Sequence, residues 1–211
     1  MNDQIVSTYT ARFDSLKIVA RKLEQHLISR LSDQSHIDRI SCRAKSPLSF
    51  AEKATQRLED GSTPKYSAPL LQIQDQIGAR VLVLYLRDVD NVREAVEKYF
   101  TPMEKQEHLP HSPSSFGYVG FHGIYALPED VIPEKNPKGS FSRCFELQIK
   151  TLFQHAWAEA NHDLVYKPRA VLSSDQLRLN AYAAAQAWGA DRVFEELRES
   201  LTQCGGEPIA L

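Results

Sequence analysis

Phe145-Glu-Leu-Gln-Ile-Lys-Thr151, followed after three residues by His155-Ala-Trp-Ala-Glu-Ala-Asn-His162-Asp-Leu-Val-Tyr166-Lys167, decides how this chain is read. The first segment alternates strictly, which sends Phe145, Leu147 and Ile149 to one side of a strand and Glu146, Gln148 and Lys150 to the other. One side is core, and the other is a candidate site. Read as a helix, the second segment places His155, Glu159, His162 and Tyr166 at i, i+4, i+7 and i+11, so four polar or aromatic tips share one face. A purely structural helix rarely presents such a face.

Around this centre the pattern alternates between helix and strand. Ile5, Tyr9, Phe13, Leu16, Ala20, Leu23, Leu27 and Leu31 recur every three or four residues and predict a long amphipathic N-terminal helix. A short strand over 36–42 delivers Arg43 and Lys45 to the start of a second helix, which Ser46 caps, Pro47 opens and Gly61 stops. The nearly all-apolar run from Ala79 to Leu86 suits a strand covered on both faces, the expected centre of the sheet. Asp88 is placed to cap the helix after it, whose buried stripe is Val89, Val92, Val96 and Tyr99. Thr101 to Gly117 reads as a long loop over the site. Strands follow over 121–127 and 142–149, then the helix above. Ser173 and Gln176 form a capping box opening one or two last helices. The expected architecture is α+β: a mixed sheet of about five strands flanked by helices. Its parts are an N-terminal helix (1–35), a central domain (36–170) and a helical extension (171–211).

The 211 residues and 42% hydrophobic content allow a full core. A net charge of −2 argues against general electrostatic binding to long nucleic acid, though not against a local basic pocket. Cys42, Cys144 and Cys204 are widely spaced and form no Cys-x-x-Cys pair, so free thiols in a reducing compartment are expected. No stretch of about 18 apolar residues occurs, which gives the expectation of a cytoplasmic protein without membrane contact.

Asp75 lies just before the run 79–86, and Glu146 lies on the alternating strand. Brought to one end of the sheet, two carboxylates can hold one Mg²⁺ that keeps waters and substrate phosphates as its other ligands. Taken singly, each has the plainer reading first: a turn aspartate and a solvent-facing glutamate. Arg43, Lys45, Lys53 and Arg80 can meet phosphates or stack on a base, where solvated surface cations are the plain alternative. Gly117-Tyr118 and His122 offer an aromatic platform and a phosphate contact. Glu159-x-x-His162 has helical metal-ligand spacing, but a di-iron bundle needs two such copies. The His162-Asp163 dyad belongs otherwise to all-helical phosphohydrolases, and the strands here argue against that fold.

Together these segments resemble the synthetase domain of the RelA/SpoT alarmone synthetases, and the length resembles its small stand-alone members. The resemblance rests on Arg43-Ala-Lys45-Ser46 with Lys53, Asp75-Gln-Ile-Gly78-Ala-Arg80, Gly117-Tyr118 with His122, and Glu146-Leu-Gln148-Ile-Lys-Thr151 leading into 155–167. It implies a nucleotidyltransferase-like fold and Mg²⁺-dependent transfer of the β,γ-pyrophosphate of ATP to the 3′-hydroxyl of GDP or GTP, giving (p)ppGpp. It also implies roles. Asp75 and Glu146 are the metal carboxylates, Glu146 also helping to deprotonate the acceptor hydroxyl. Arg43 and Arg80 sandwich adenine, and Lys45 and Lys53 hold phosphates. Tyr118 stacks on the acceptor base, His122 contacts phosphate, and Gln148, Glu159 and His162 floor the acceptor pocket. Phe116, Val119 and Gly120 depart from polar or basic family positions, and Lys150 replaces an arginine. The acceptor side is therefore the less well matched, which keeps adenine nucleotides, the tRNA 3′ end or a non-catalytic nucleotide- or RNA-binding module as alternatives. The amphipathic terminal helices are consistent with a homo-oligomer, or with simple cover for the sheet.

Overall fold

The computed structural model describes residues 2–106, 117–118, 120–132, 143–166 and 172–203. Helix α1 (Asn2–Arg30) leads to strand β1 (Ile37–Ala44), helix α2 (Pro47–Ala54), a single turn α3 (Pro69–Gln72) and a 3-10 turn, Gln74–Gln76. Strand β2 (Ile77–Val83), helix α4 (Leu86–Glu97) and strands β3 (Pro102–Gln106), β4 (Phe121–Ala126) and β5 (Cys144–Thr151) come next. Helix α5 (Leu152–Asn161), a π-helical turn (His162–Tyr166) and helix α6 (Ser174–Gln203) complete the described chain. The five strands order as β1-β2-β5-β4-β3, with β2 and β5 parallel and the other pairs antiparallel.

One face of this sheet is the core. Tyr9, Leu16, Leu23 and Leu27 of α1 pack in a single buried cluster with Ala79 and Val81 of β2, Val92 and Val96 of α4, and Phe145, Leu147 and Ile149 of β5. Each buried Val, Leu, Ile or Phe among them stabilises the fold by about 1.5–3 kcal/mol. The α1 stripe thus has the expected spacing and the expected use. β1 is an edge strand, and α1 guards it: Glu24 Oε2 accepts the Cys42 N–H at 2.7 Å, which covers one edge donor. On the other face α5 runs back over β2 and β5, and α6 packs on α5 and α4.

Several expectations are corrected. β5, not β2, is the middle strand, because β4 adds to its far side. Helix α2 ends at Ala54, and Gly61, at φ 68°, turns a small loop closed by the Arg57–Pro64 bridge. Tyr85 rather than Asp88 precedes α4; Asp88 is buried in its first turn, where Arg198 donates to it at 3.2 Å. Residues 102–106 of the expected loop form edge strand β3, while 107–116 lie outside the described residues. The face expected to run from His155 to Tyr166 breaks after Asn161, since the π turn changes the helical period; Lys167 lies outside the described residues. The Ser173–Gln176 box is present, with Gln176 N–H donating to Ser173 Oγ at 3.3 Å, and it opens one 30-residue helix. Among the described residues no helix is long and apolar enough to cross a membrane.

Candidate active site

Register builds the site. Arg43, Gly78 and Glu146 lie in one row across β1, β2 and β5, and Ser41, Arg80, Gln148 and His122 form the next row across four strands. At the end of these rows is a cavity of about 240 Å³, lined by Arg43, Lys45, Asp75, Arg80, Glu146 and Gln148. Six residues singled out from sequence therefore meet in one depression.

Each is delivered by a local device. Lys45 follows β1 directly, and its N–H donates to Gln76 O at 2.8 Å, which joins the end of β1 to the turn carrying Asp75. Ser46 then caps α2, accepting the Ser49 N–H at 3.2 Å, so the helix starts there and carries Lys53 back over the same turn. Lys45 Nζ lies 3.1 Å and Lys53 Nζ 2.7 Å from Asp75 Oδ2. Asp75 Oδ1 is buried with no hydrogen-bond partner among the described residues. Burial pulls the Lys53 ammonium down, yet the hydrogen bond and charge of Asp75 outweigh it and raise its pKa.

Glu146 sits across the cavity. Gln148 Nε2 donates to its Oε2 at 3.1 Å, and His122 Nδ1 lies 3.6 Å from its Oε1. Burial pushes this carboxyl up, but His122, Gln148 and the positive Lys53 prevail and hold it at about 2. Glu146 is therefore ionised at neutral pH. The Gln148 carbonyl oxygen is buried without a partner among the described residues, an acceptor left for a ligand donor. Arg80 is fixed by α5: its Nη1 donates to Glu159 Oε1 at 2.8 Å and lies 3.3 Å from His155 Nδ1.

Other sequence candidates lie apart. His162 is exposed on the π turn beyond α5. Tyr118 is 8% exposed and donates its hydroxyl to Asp191 Oδ2 of α6 at 2.5 Å; Thr151 Oγ1 donates to the same oxygen. Sequence reading missed Ser41 and Cys42 of the lining, although the alternation of β1 carried Ser41 with Arg43, and it gave Gly78 and Ala79 no role beyond their place in the Asp75–Arg80 segment. It also missed Tyr9, whose hydroxyl reaches the Lys45 carbonyl at 2.8 Å, and it placed Lys150 on the site side without foreseeing its burial: the side chain is only 4% exposed, and burial and Arg80 pull its ammonium down to about 8.

The donor set fits a hard divalent cation. Among the described residues no three His, Cys, Asp or Glu side chains cluster for one ion, so the protein offers two carboxylates, and water or substrate oxygens must complete the shell.

Residues 42–170 match the family described as a region found in RelA / SpoT proteins. The chain belongs to the RelA/SpoT family. GTP pyrophosphokinase YjbM of Bacillus subtilis (strain 168) is 26% identical over 202 residues, covering 93% of this chain and 87% of that protein. A GTP pyrophosphokinase family protein from Streptococcus pneumoniae matches with a TM-score of 0.68 and 25% identity over 98% of both chains. The small alarmone synthetase 1 of Bacillus subtilis, bound to its product pppGpp, matches at 0.67 and 24%, covering 95% of this chain and 97% of that one. The RelA/SpoT match begins within β1, at Cys42, and takes in every lining residue of the cavity except Ser41.

Proposed function

We propose that this RelA/SpoT protein is an ATP-dependent pyrophosphokinase that transfers the β,γ-pyrophosphate of ATP to the 3′-hydroxyl of GDP or GTP, yielding (p)ppGpp. One observation carries the reading: Asp75, on the turn before β2, and Glu146, on β5, flank one cavity together with Arg43, Lys45 and Arg80. Relatives named GTP pyrophosphokinase, and one holding pppGpp, support the guanine acceptor over adenine nucleotides, tRNA or a non-catalytic module.

Pyrophosphoryl transfer is mostly positioning and charge neutralisation. Lys45 and Lys53 are the cations nearest Asp75 and take the donor phosphates. Arg43 and Arg80, on neighbouring strands, hold the adenine between them, with Glu159 and His155 keeping Arg80 in place. Glu146 accepts a hydrogen bond from the attacking hydroxyl and receives its proton, and Gln148 and His122 orient that acceptor. A carboxylate held near 2 is a weak base, so the hydroxyl must be acidified where it binds. Mg²⁺, held by Asp75 and Glu146, would neutralise the phosphate oxygens and supply that acidification. Tyr118 reaches an acceptor base only by leaving Asp191.

Incubation with ATP labelled in its γ-phosphate and Mg²⁺, separately against GDP, GTP, ADP, ATP and tRNA, tests the reading. Label transferred to GDP and GTP is expected. Transfer only to adenine nucleotides or tRNA, or to none, contradicts it.

A further inference from the structure

The two donor lysines occupy the carboxylate that a metal needs. Both ammonium groups converge on Asp75 Oδ2, at 3.1 and 2.7 Å, while Oδ1 stays buried and unpartnered among the described residues. The surrounding backbone is locked. Lys45 N–H bonds to Gln76 O, and the Lys45 carbonyl accepts the Tyr9 hydroxyl, each at 2.8 Å. The Tyr9 ring lies flat on Phe50 of α2, with centroids 3.8 Å apart and planes 3° from parallel, which ties α1 to the helix that carries Lys53. Burial and then Asp75 push the Tyr9 hydroxyl pKa up, so it stays a donor. Only the lysine tips are left to move.

Charge sets the consequence. Lys45 and Lys53 are paired with Asp75, and Arg43 and Arg80 line the same cavity, so Asp75 and Glu146 already face a surplus of positive groups. A divalent cation arriving alone at Asp75 adds positive charge beside the two ammonium groups held on Oδ2, and it brings no partner to receive them. Phosphates arriving with it give those ammonium groups new partners.

We propose that Lys45 and Lys53 gate metal entry: they hold Asp75 until donor phosphates draw them off, so cation and nucleotide bind as a coupled pair. The proposal rests on ATP being the donor, but its first test needs no nucleotide. Coupling is reciprocal, so the factor by which nucleotide tightens metal equals the factor by which metal tightens nucleotide.

Mn²⁺, a hard divalent cation followed by electron paramagnetic resonance, is titrated into the intact chain, Lys53→Met and Asp75→Asn, alone and with α,β-methylene ATP. Alone, Mn²⁺ is expected to bind Lys53→Met about tenfold more tightly than wild type, because one competing ammonium is gone. Asp75→Asn should bind little. The analogue should tighten Mn²⁺ binding to wild type by about tenfold or more, and to Lys53→Met by much less. Equal or tighter Mn²⁺ binding by wild type, with both proteins folded by circular dichroism, overturns the gate. So does retained binding by Asp75→Asn. Should Lys53→Met not fold, Lys45→Met is judged by the same criterion. Failure of the analogue to bind wild type would overturn the donor assignment, while the comparison with Mn²⁺ alone still decides the gate.

Discussion

The two sides of the cavity are built differently. On the β1–α2–β2 side, Arg43, Lys45, Lys53 and Asp75 come from 33 consecutive residues and are joined by local devices: a Ser46 cap, a backbone bond to Gln76 and two ion pairs on one oxygen. On the β4–β5 side, His122, Gln148 and Tyr118 come from separated segments, and Tyr118 is bonded to a helix more than seventy residues away. Local chain geometry preorganises the side proposed for the donor, apart from Arg80, which α5 holds, whereas contacts between distant segments set the side proposed for the acceptor. The first should tolerate little change in its residues, and the second should respond to changes in remote helices.

Glu146→Gln keeps the shape of the one residue that serves both sides and removes its charge. Turnover should fall by about a hundredfold or more with the fold intact, measured as AMP released per enzyme. Near wild-type turnover would break the comparison at its shared point. Lys53→Met acts on the donor side alone: KM for ATP should rise about tenfold in steady-state kinetics, with KM for GDP little changed. A matched rise in both constants would show that the sides are not separable.

Tyr118→Phe addresses the acceptor side. Removing a donor from the buried Asp191 should lower stability by about 1–2 kcal/mol in urea titration. Acceptor KM should change by less than about threefold if the tyrosine stays with Asp191. A large KM increase at unchanged stability would place Tyr118 on the acceptor.

The smallest effects separate the sides by pH. Glu146 has its pKa lowered on folding, to about 2, so its stabilisation is full above the ordinary carboxylate value and is lost as pH falls toward 2. Burial raises Asp191, which has the opposite sign: stability falls as pH rises from the ordinary aspartate value through the folded one. Thermal melts across pH should therefore lose the acid-side slope in Glu146→Gln and the opposing slope in Asp191→Asn. An unchanged profile in either variant would reject the corresponding environment.

Sequence made the donor side legible because its signals are local. The cap at Ser46 and the α1 stripe act through neighbours a few residues away, and each is where expected; the alternation of β5, across the cavity, is a local signal of the same kind. The Thr151-x-x-Gln154 capping box that starts α5 has the same kind of signal, with Gln154 N–H donating to Thr151 Oγ1 at 3.0 Å and Gln154 Oε1 accepting the Thr151 N–H; the pattern was there to be read. Other features carried no local mark. Tyr9 looked like one more apolar step of α1, and only the fold brings its hydroxyl under Lys45. Lys150 alternates with the polar face, yet α5 roofs that end of the strand and the chain at Gly120 packs on its stem, so closely that a Cβ there would lie 2.6 Å from Lys150 Cγ. Asp191 sits 40 residues beyond Thr151 in a helix whose periodicity says nothing of a buried carboxylate.

The central claim is that Asp75 and Glu146 support pyrophosphate transfer to a guanine nucleotide. ATP labelled in both its β- and γ-phosphates, mixed with GDP, Mg²⁺ and the purified protein, tests it most directly. The account predicts one AMP released for each labelled guanosine product carrying both phosphates, with the Glu146→Gln rate lower by about a hundredfold or more. Release of labelled orthophosphate and ADP, or equal rates from the two proteins, would contradict it.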